Sequence, residues 1–189
     1  MMLVQPLTGS HNRQDFDCGR IELTNWLRQV ARQHQDKGLS ETFVAVQEEA
    51  LERVCGFYAL TLAEIDSTQL PAVWRKKLPR RIPGVRLGRL AVDVAFQGKK
   101  LGELVLINAL TRAQRIYDDA GGVGLFVDAL DAQAAGFYSK VWVFFGAGSA
   151  AVAVFTDISS CPEVMNLVAR ALQAEMTTLQ TFCRLLNDI

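Results

Sequence analysis

A mixed α/β (α+β) fold, with helices flanking a central sheet, is what this chain predicts, and three stretches carry the prediction. Residues 42–47 and 54–62 are apolar runs rich in β-branched and aromatic side chains, joined by a polar link, which is the pattern of an antiparallel hairpin. Residues 87–113 pass from an apolar run through a turn of glycines and lysines into helical periodicity, so they read as a buried strand, a turn and a long helix. Residues 124–140 show a strand and then a helix again.

From the N-terminus, Met1 to Leu7 reads as a strand ending near Pro6, followed by the polar stretch Thr8 to Gln14. Leu23, Trp26, Leu27, Val30 and Ala31 then recur at helical spacing up to Gln35, an amphipathic helix that lays one stripe on the sheet. In the hairpin, Glu48 to Arg53 forms the polar connection, and Tyr58 reads as a half-buried strand aromatic. Pro71, Pro79 and Pro83 exclude one long regular element from residues 70–83, leaving room for a short helix between Pro71 and Leu78.

Arg75, Lys76, Lys77, Arg80 and Arg81 concentrate positive charge in that region. Such a run is either a solvated face or a patch that contacts phosphates beside a cleft. After the turn, Glu103 to Asp119 is a helix ended by Gly121-Gly122, and residues 124–130 are a strand. Asp131 is placed to cap a short helix over residues 132–140. Residues 141–146 and 150–155 can form two further strands. Pro162 then opens a final amphipathic helix through Val164, Leu167, Val168, Leu172, Leu179 and Leu186. The expected division is a domain over residues 1–158 and a C-terminal helical extension over 159–189.

Composition narrows the function. At 189 residues and zero formal net charge, the chain can bind nucleic acid only through local patches. Cys18, Cys55, Cys161 and Cys183 form no Cys-x-x-Cys pair, and His11 and His34 are the only histidines, so no metal site is expected. Free thiols in a reducing cytoplasm are the expectation. Neither a secretory signal nor an apolar run long enough for a membrane span is present, so no membrane association is expected.

The turn from Gln97 to Gly102 opens a helix, where backbone N–H groups lack intrahelical partners and the peptide dipoles favour an anion. Gly98 and Gly102 allow close approach of a phosphate, and Lys99 and Lys100 add charge, so a diphosphate ligand is expected. No Ser or Thr follows the lysines as a P-loop requires, and no Gly-x-Gly-x-x-Gly follows the strand as a dinucleotide fold requires.

Gln97-Gly98-Lys99-Lys100-Leu101-Gly102 resembles motif A of the GCN5-related N-acetyltransferases (GNAT), Gln/Arg-x-x-Gly-x-Gly/Ala, with Lys100 in place of the middle glycine. Four further phrases are similar to the acetyltransferase toxins of type II toxin–antitoxin modules. They are Phe16-Asp17-Cys18-Gly19 with Leu23 and Trp26-Leu27, Gly56-Phe57-Tyr58-Ala59-Leu60, Leu87-Gly88-Arg89-Leu90-Ala91-Val92-Asp93, and Ala132-x-x-Ala135-x-Phe137-Tyr138.

The resemblance spans about residues 1–140 and implies a GNAT fold whose two central parallel strands splay to admit the pantetheine arm of acetyl-CoA. It implies acetyl-CoA as cosubstrate, with Gln97, Gly98, Lys99, Lys100, Leu101 and Gly102 on the diphosphate and the backbone of Leu90, Ala91 and Val92 on the thioester and pantetheine. It makes Tyr138 the general acid for the leaving thiolate. The acceptor it implies is the α-amino group of aminoacyl-tRNA, met by Arg75, Lys76, Lys77, Arg80, Arg81 and Arg89, and the partner a ribbon-helix-helix antitoxin. Arg89, charged within an apolar strand, either faces the acceptor or pairs with a carboxylate. The C-terminal stripe either packs on the sheet or offers a homodimer surface or an antitoxin groove. Two other functions fit the same residues: acetylation of a small amine or protein N-terminus, and a non-catalytic relic that has lost turnover through Lys100.

Overall fold

A computed structural model of the chain describes residues 1–69, 79–121, 125–127, 134, 137 and 138. The elements are β1 (Met2–Pro6), α1 (Ile21–Asn25), a π-helical stretch (Trp26–Val30), α2 (Ala31–Asp36), β2 (Glu41–Gln47), β3 (Ala50–Asp66), β4 (Arg81–Val92), α3 (Leu101–Ala120) and β5 (Leu125–Val127). The five strands form one sheet in chain order, antiparallel through β4, with β5 parallel to β4. The expected helix at 71–78 with Arg75, Lys76 and Lys77, the strands at 141–155 and the extension over 159–189 lie outside the described residues, as does most of the expected helix at 132–140.

The sheet is buried on both faces. On one, Leu7, Phe16, Leu27, Ala31, Val44, Val46, Val54, Phe57 and Ala91 make a core under the α1–α2 segment. Phe16 meets Phe57 edge-on and Trp26 stacks on Phe57, 5.7 Å between ring centres. On the other, Val105, Leu106, Ala109, Leu110 and Ala113 of α3 are buried. There Tyr58 stacks on Phe43, and its hydroxyl donates to Asn108 Oδ1 at 2.6 Å. Burial makes that phenol harder to ionise than a free tyrosine. Tyr58 is therefore a fully buried tie between sheet and helix, not a half-buried surface aromatic.

Several boundaries differ from the sequence expectation: β3 runs on to Asp66, four residues past the expected end at Leu62, and the helix expected up to Gln35 is interrupted by the π-helical stretch Trp26–Val30. The hairpin connection is only the turn at Glu48-Glu49, because β3 begins at Ala50 and Gln47 pairs with Ala50. Leu51, Glu52 and Arg53 are strand residues with exposed side chains, lying in a register shift against β2 and tied by backbone contact to Asn12, which hydropathy does not report. β4 begins at Arg81 and runs through Pro83, where proline removes only one donor; parallel pairing to β5 starts two residues later at Val85. The α3 helix begins at Leu101, two residues before Glu103.

Two glycines are set by geometry. The ring of Phe126 lies over Gly84 where a Cβ would stand. Gly88 is the extra residue of a β-bulge, since Ala59 pairs with Arg89 while Leu60 pairs with Leu87. Bulges bend a strand. Among the described residues the pairing of β4 with β5 covers Val85 to Leu87 and reaches no further than the residue before this bulge.

Candidate active site

Beyond the bulge, β4 carries Leu90, Ala91 and Val92 opposite Tyr58, Phe57 and Gly56 of β3. Ala91 is buried and its neighbours are half-buried. The strand stops at Asp93, whose buried carboxylate accepts the Ala95 N–H at 2.9 Å and the Asp17 N–H at 3.0 Å. The Asp93 N–H donates to Cys55 O, and the Val94 N–H to Asp17 O. Asp17 in turn accepts from the Gly19 N–H through Oδ1 at 2.8 Å, with Gly19 at φ +77°. The N-terminal Phe-Asp-Cys-Gly phrase is thus a clamp on the end of β4.

A short 3-10 turn, Val94–Phe96, leads into the motif. Gln97 turns its side-chain amide inward and donates to Cys18 O at 3.1 Å and Val92 O at 2.9 Å, which commits that amide to bracing the loop. Gly98 has φ +73°. Lys99 curls back to donate to Ala95 O at 2.9 Å. Lys100 adopts φ 62°, ψ 11°, the left-handed region that favours glycine. The lysine at the motif's glycine position has therefore kept the glycine backbone path, at a cost of about 1 kcal/mol.

From Lys100 the chain enters α3. The Leu104 N–H is the first to find its partner, Lys100 O at 3.2 Å, so the N–H groups of Leu101, Gly102 and Glu103 form the open end of the helix. A Cβ at Gly102 would come within 3.3 Å of the Phe137 ring, so Phe137 packs on the first turn of the helix. The ring of Tyr138 lies 5.3 Å from that of Phe137 and is 8% exposed. Burial pushes its phenol up to about 12. Gln97, Gly98, Lys99, Lys100, Leu101 and Gly102 thus form the turn and helix start that follow the end of β4, with Phe137 packed on Gly102.

The basic residues divide. Arg89 is exposed, lies 5.4 Å over the ring of Trp26 and donates to Gly88 O at 2.8 Å; no carboxylate among the described residues engages it. Arg80 pairs with Asp66 at 3.5 Å and Arg81 with Glu64 at 3.2 Å, across the far ends of β3 and β4. Exposed pairs of this kind contribute about 0–1 kcal/mol and are readily exchanged for another anion. Arg75, Lys76 and Lys77 lie outside the described residues.

Sequence reading missed Asp17 and Asp93 as structural supports of the site. The one visible signal was the phrase in which each sits. Among the described residues no cluster of His, Cys, Asp and Glu is arranged to hold a metal ion, Cys18 and Cys55 are free and buried, and no helix is long and apolar enough to cross a membrane.

No family model matches the chain. A tRNA-acetylating toxin of Mycobacterium tuberculosis (strain ATCC 25618 / H37Rv) is 34% identical over 123 residues, 65% of this chain and 72% of that protein. The solved structure of AtaT complexed with acetyl-methionyl-tRNAfMet superposes with a TM-score of 0.75 at 29% identity, covering 82% of this chain and 95% of AtaT. A mutant AtaT toxin bound to the C-terminus of the antitoxin AtaR and acetyl-CoA gives 0.66 at 27% identity, over 82% of this chain and 92% of the other. With its mixed sheet, its glycine-turn helix and a relative 34% identical across 72% of its length, the chain belongs to the tRNA-acetylating toxins, acetyltransferases of the GNAT fold found in toxin–antitoxin systems.

Proposed function

We propose that the protein transfers the acetyl group of acetyl-CoA to the α-amino group of aminoacyl-tRNA, blocking translation, and that a ribbon-helix-helix antitoxin restrains it. The observation that supports this reading is the open helix end at Leu101 to Glu103, with Phe137, the chain neighbour of the buried Tyr138, packed on Gly102. The similar AtaT structures contain acetyl-methionyl-tRNAfMet in one case, and acetyl-CoA with an antitoxin segment in the other.

In the proposed mechanism, the N–H groups of Leu101, Gly102 and Glu103 bind the diphosphate along the path set by Gly98 and Lys100. Gln97 contributes by bracing the turn, and Lys99 and Lys100 by charge. The backbone of Leu90, Ala91 and Val92 aligns pantetheine and thioester, with an N–H as oxyanion donor. The amine attacks the thioester carbon, the C–S bond breaks, and the nitrogen loses its proton to water. An α-amino group titrates near 8, so a useful neutral fraction exists without a dedicated base.

A phenol near 12 is protonated throughout the working range and stands as a donor to the sulfur as charge develops there. Complete transfer to a thiolate of ordinary basicity would be uphill, so the phenol stabilises the leaving group chiefly by its hydrogen bond. Arg89, with Arg75, Lys76, Lys77, Arg80 and Arg81, meets the RNA backbone. Lys100 does not make the chain a relic in this reading, because the backbone follows the left-handed path a glycine would take. The protein acts in the cytoplasm, where charged tRNA resides, and as a homodimer.

Purified protein incubated with labelled acetyl-CoA and charged tRNA should yield acetyl-aminoacyl-tRNA. Tyr138→Phe should lower kcat by about 10²–10⁴-fold while leaving acetyl-CoA affinity unchanged. Wild-type protein that labels free amines but not charged tRNA would overturn the substrate assignment.

A further inference from the structure

Beside the turn, Arg53 and Phe96 have no part in the mechanism above, and Lys99 enters it only by its charge. Arg53 of β3 holds its guanidinium 5.2 Å from the centre of the Phe96 ring, and Lys99 holds its ammonium 5.4 Å from the same centre. Phe96 is half-buried and both cations are exposed. Neither forms an ion pair with any described residue. Glu52, the residue before Arg53, is exposed and forms no ion pair with either cation. The nearby Asp93 carboxylate is buried and already occupied by two backbone N–H groups.

Two like charges are thus gathered around one ring without a counterion among the described residues. Their mutual repulsion is offset in part by about 0.5–1 kcal/mol of cation–π attraction for each. The ring also restricts two long side chains that would otherwise sweep freely through solvent, which lowers the entropic cost of closing them on a ligand. The Asp93 N–H to Cys55 O bond, 2.9 Å, fixes this part of β3 against the segment that leads into the turn.

We propose that Arg53, together with Lys99 and the Phe96 ring, forms a second anion site that takes the ribose phosphate monoester of the coenzyme A nucleotide, the diphosphate lying on the helix end. The proposal rests on the reading of acetyl-CoA as cosubstrate. A phosphate monoester carries −1.5 to −2 charges near pH 7 and suits two facing cations better than the spread-out diphosphate does. The helix end alone recognises any nucleoside diphosphate. The second site makes the protein selective for a nucleotide that carries an additional phosphate.

Calorimetry with coenzyme A and 3′-dephospho-coenzyme A tests the proposal on the full chain, comparing wild type, Arg53→Ala and Arg53→Lys. Wild type should bind coenzyme A about tenfold more tightly than the dephospho form, a preference that shrinks with added salt. Arg53→Ala should bind both ligands alike by weakening only the first, and Arg53→Lys should restore part of the preference. Melting temperatures should match, since Arg53 is exposed. Equal weakening of both ligands, or an unchanged ratio, would overturn the inference while leaving the acetyl-CoA reading intact. So would an unchanged ratio accompanied by lost affinity for tRNA, which would assign Arg53 to RNA phosphates. Failure of wild type to bind both ligands, coenzyme A included, would overturn both.

Discussion

Replacing Asp93 by alanine should loosen the turn without touching any group that meets a substrate. The carboxylate caps the Val94–Phe96 turn through the Ala95 N–H at 2.9 Å, and holds the Asp17 N–H at 3.0 Å. Loss of the cap costs about 1 kcal/mol. Stranding the Asp17 N–H in a part-buried position adds about 1–3 kcal/mol, so the total is about 2–4 kcal/mol. For a chain of this size each kcal/mol lowers Tm by about 2–4 °C, which predicts a drop on the order of 10 °C in a thermal melt. Asparagine is the sharper probe. It is isosteric but keeps one acceptor, so one N–H is satisfied and the other meets an amide NH₂, and about half the loss should remain. Acetyl-CoA affinity should fall in step, because the residues from Val94 to Lys100 hang from this carboxylate. An Asp93→Asn protein that melts within a degree of wild type and binds acetyl-CoA normally would refute the clamp.

Two other perturbations read different parts of the same structure. Lys100→Gly removes a side chain from a backbone at φ 62°; it should raise stability by about 0.5–1 kcal/mol in urea denaturation, the gain in the folded state being partly offset by a freer unfolded chain. If backbone groups hold the diphosphate, the accompanying change in acetyl-CoA Kd should stay under about threefold, in keeping with the modest worth of an exposed charge. His11 is buried, accepts the Thr8 N–H at Nδ1 at 2.9 Å and faces the Gln5 side chain at 2.8 Å. Desolvation lowers its pKa below the usual 6.5. The folded state thus binds the proton less readily than the unfolded state. The contribution to stability is complete above pH 6.5 and is lost as pH falls through and below that value. Denaturation midpoints at pH 7.5 and 5.5 should differ more in wild type than in His11→Gln, and equal differences would dismiss His11 as the source.

Hydropathy periodicity reports burial, and where burial and secondary structure coincide the elements were legible. The helix through Leu23 and Leu27, the core of the hairpin and the long helix after the turn all have one apolar stripe and appear where expected. Where backbone pairing holds a strand with exposed side chains the pattern is silent, so the starts of β3 at Ala50 and of β4 at Arg81 were not readable. The site divided along similar lines. Motif spacing marks Gln97 but says nothing about what its amide does, because its partners are the carbonyls of Cys18 and Val92, brought to it only by the tertiary fold. Lys100 is the reverse case. Its chemistry suggests a broken motif, and the backbone angle reveals an intact path.

The clamp between Asp17 and Asp93 joins residues 76 apart in the chain. A nascent chain emerging from the ribosome therefore cannot complete the Asp17–Asp93 clamp, or the turn it braces, early. The strand end, the opening phrase and the first turn of α3 must all have been synthesised and docked before the helix end is aimed. Such long-range closure is slow compared with local helix formation. Synthesis and arming are separated in time by topology alone, an interval in which an antitoxin already present could engage the chain before it gains activity.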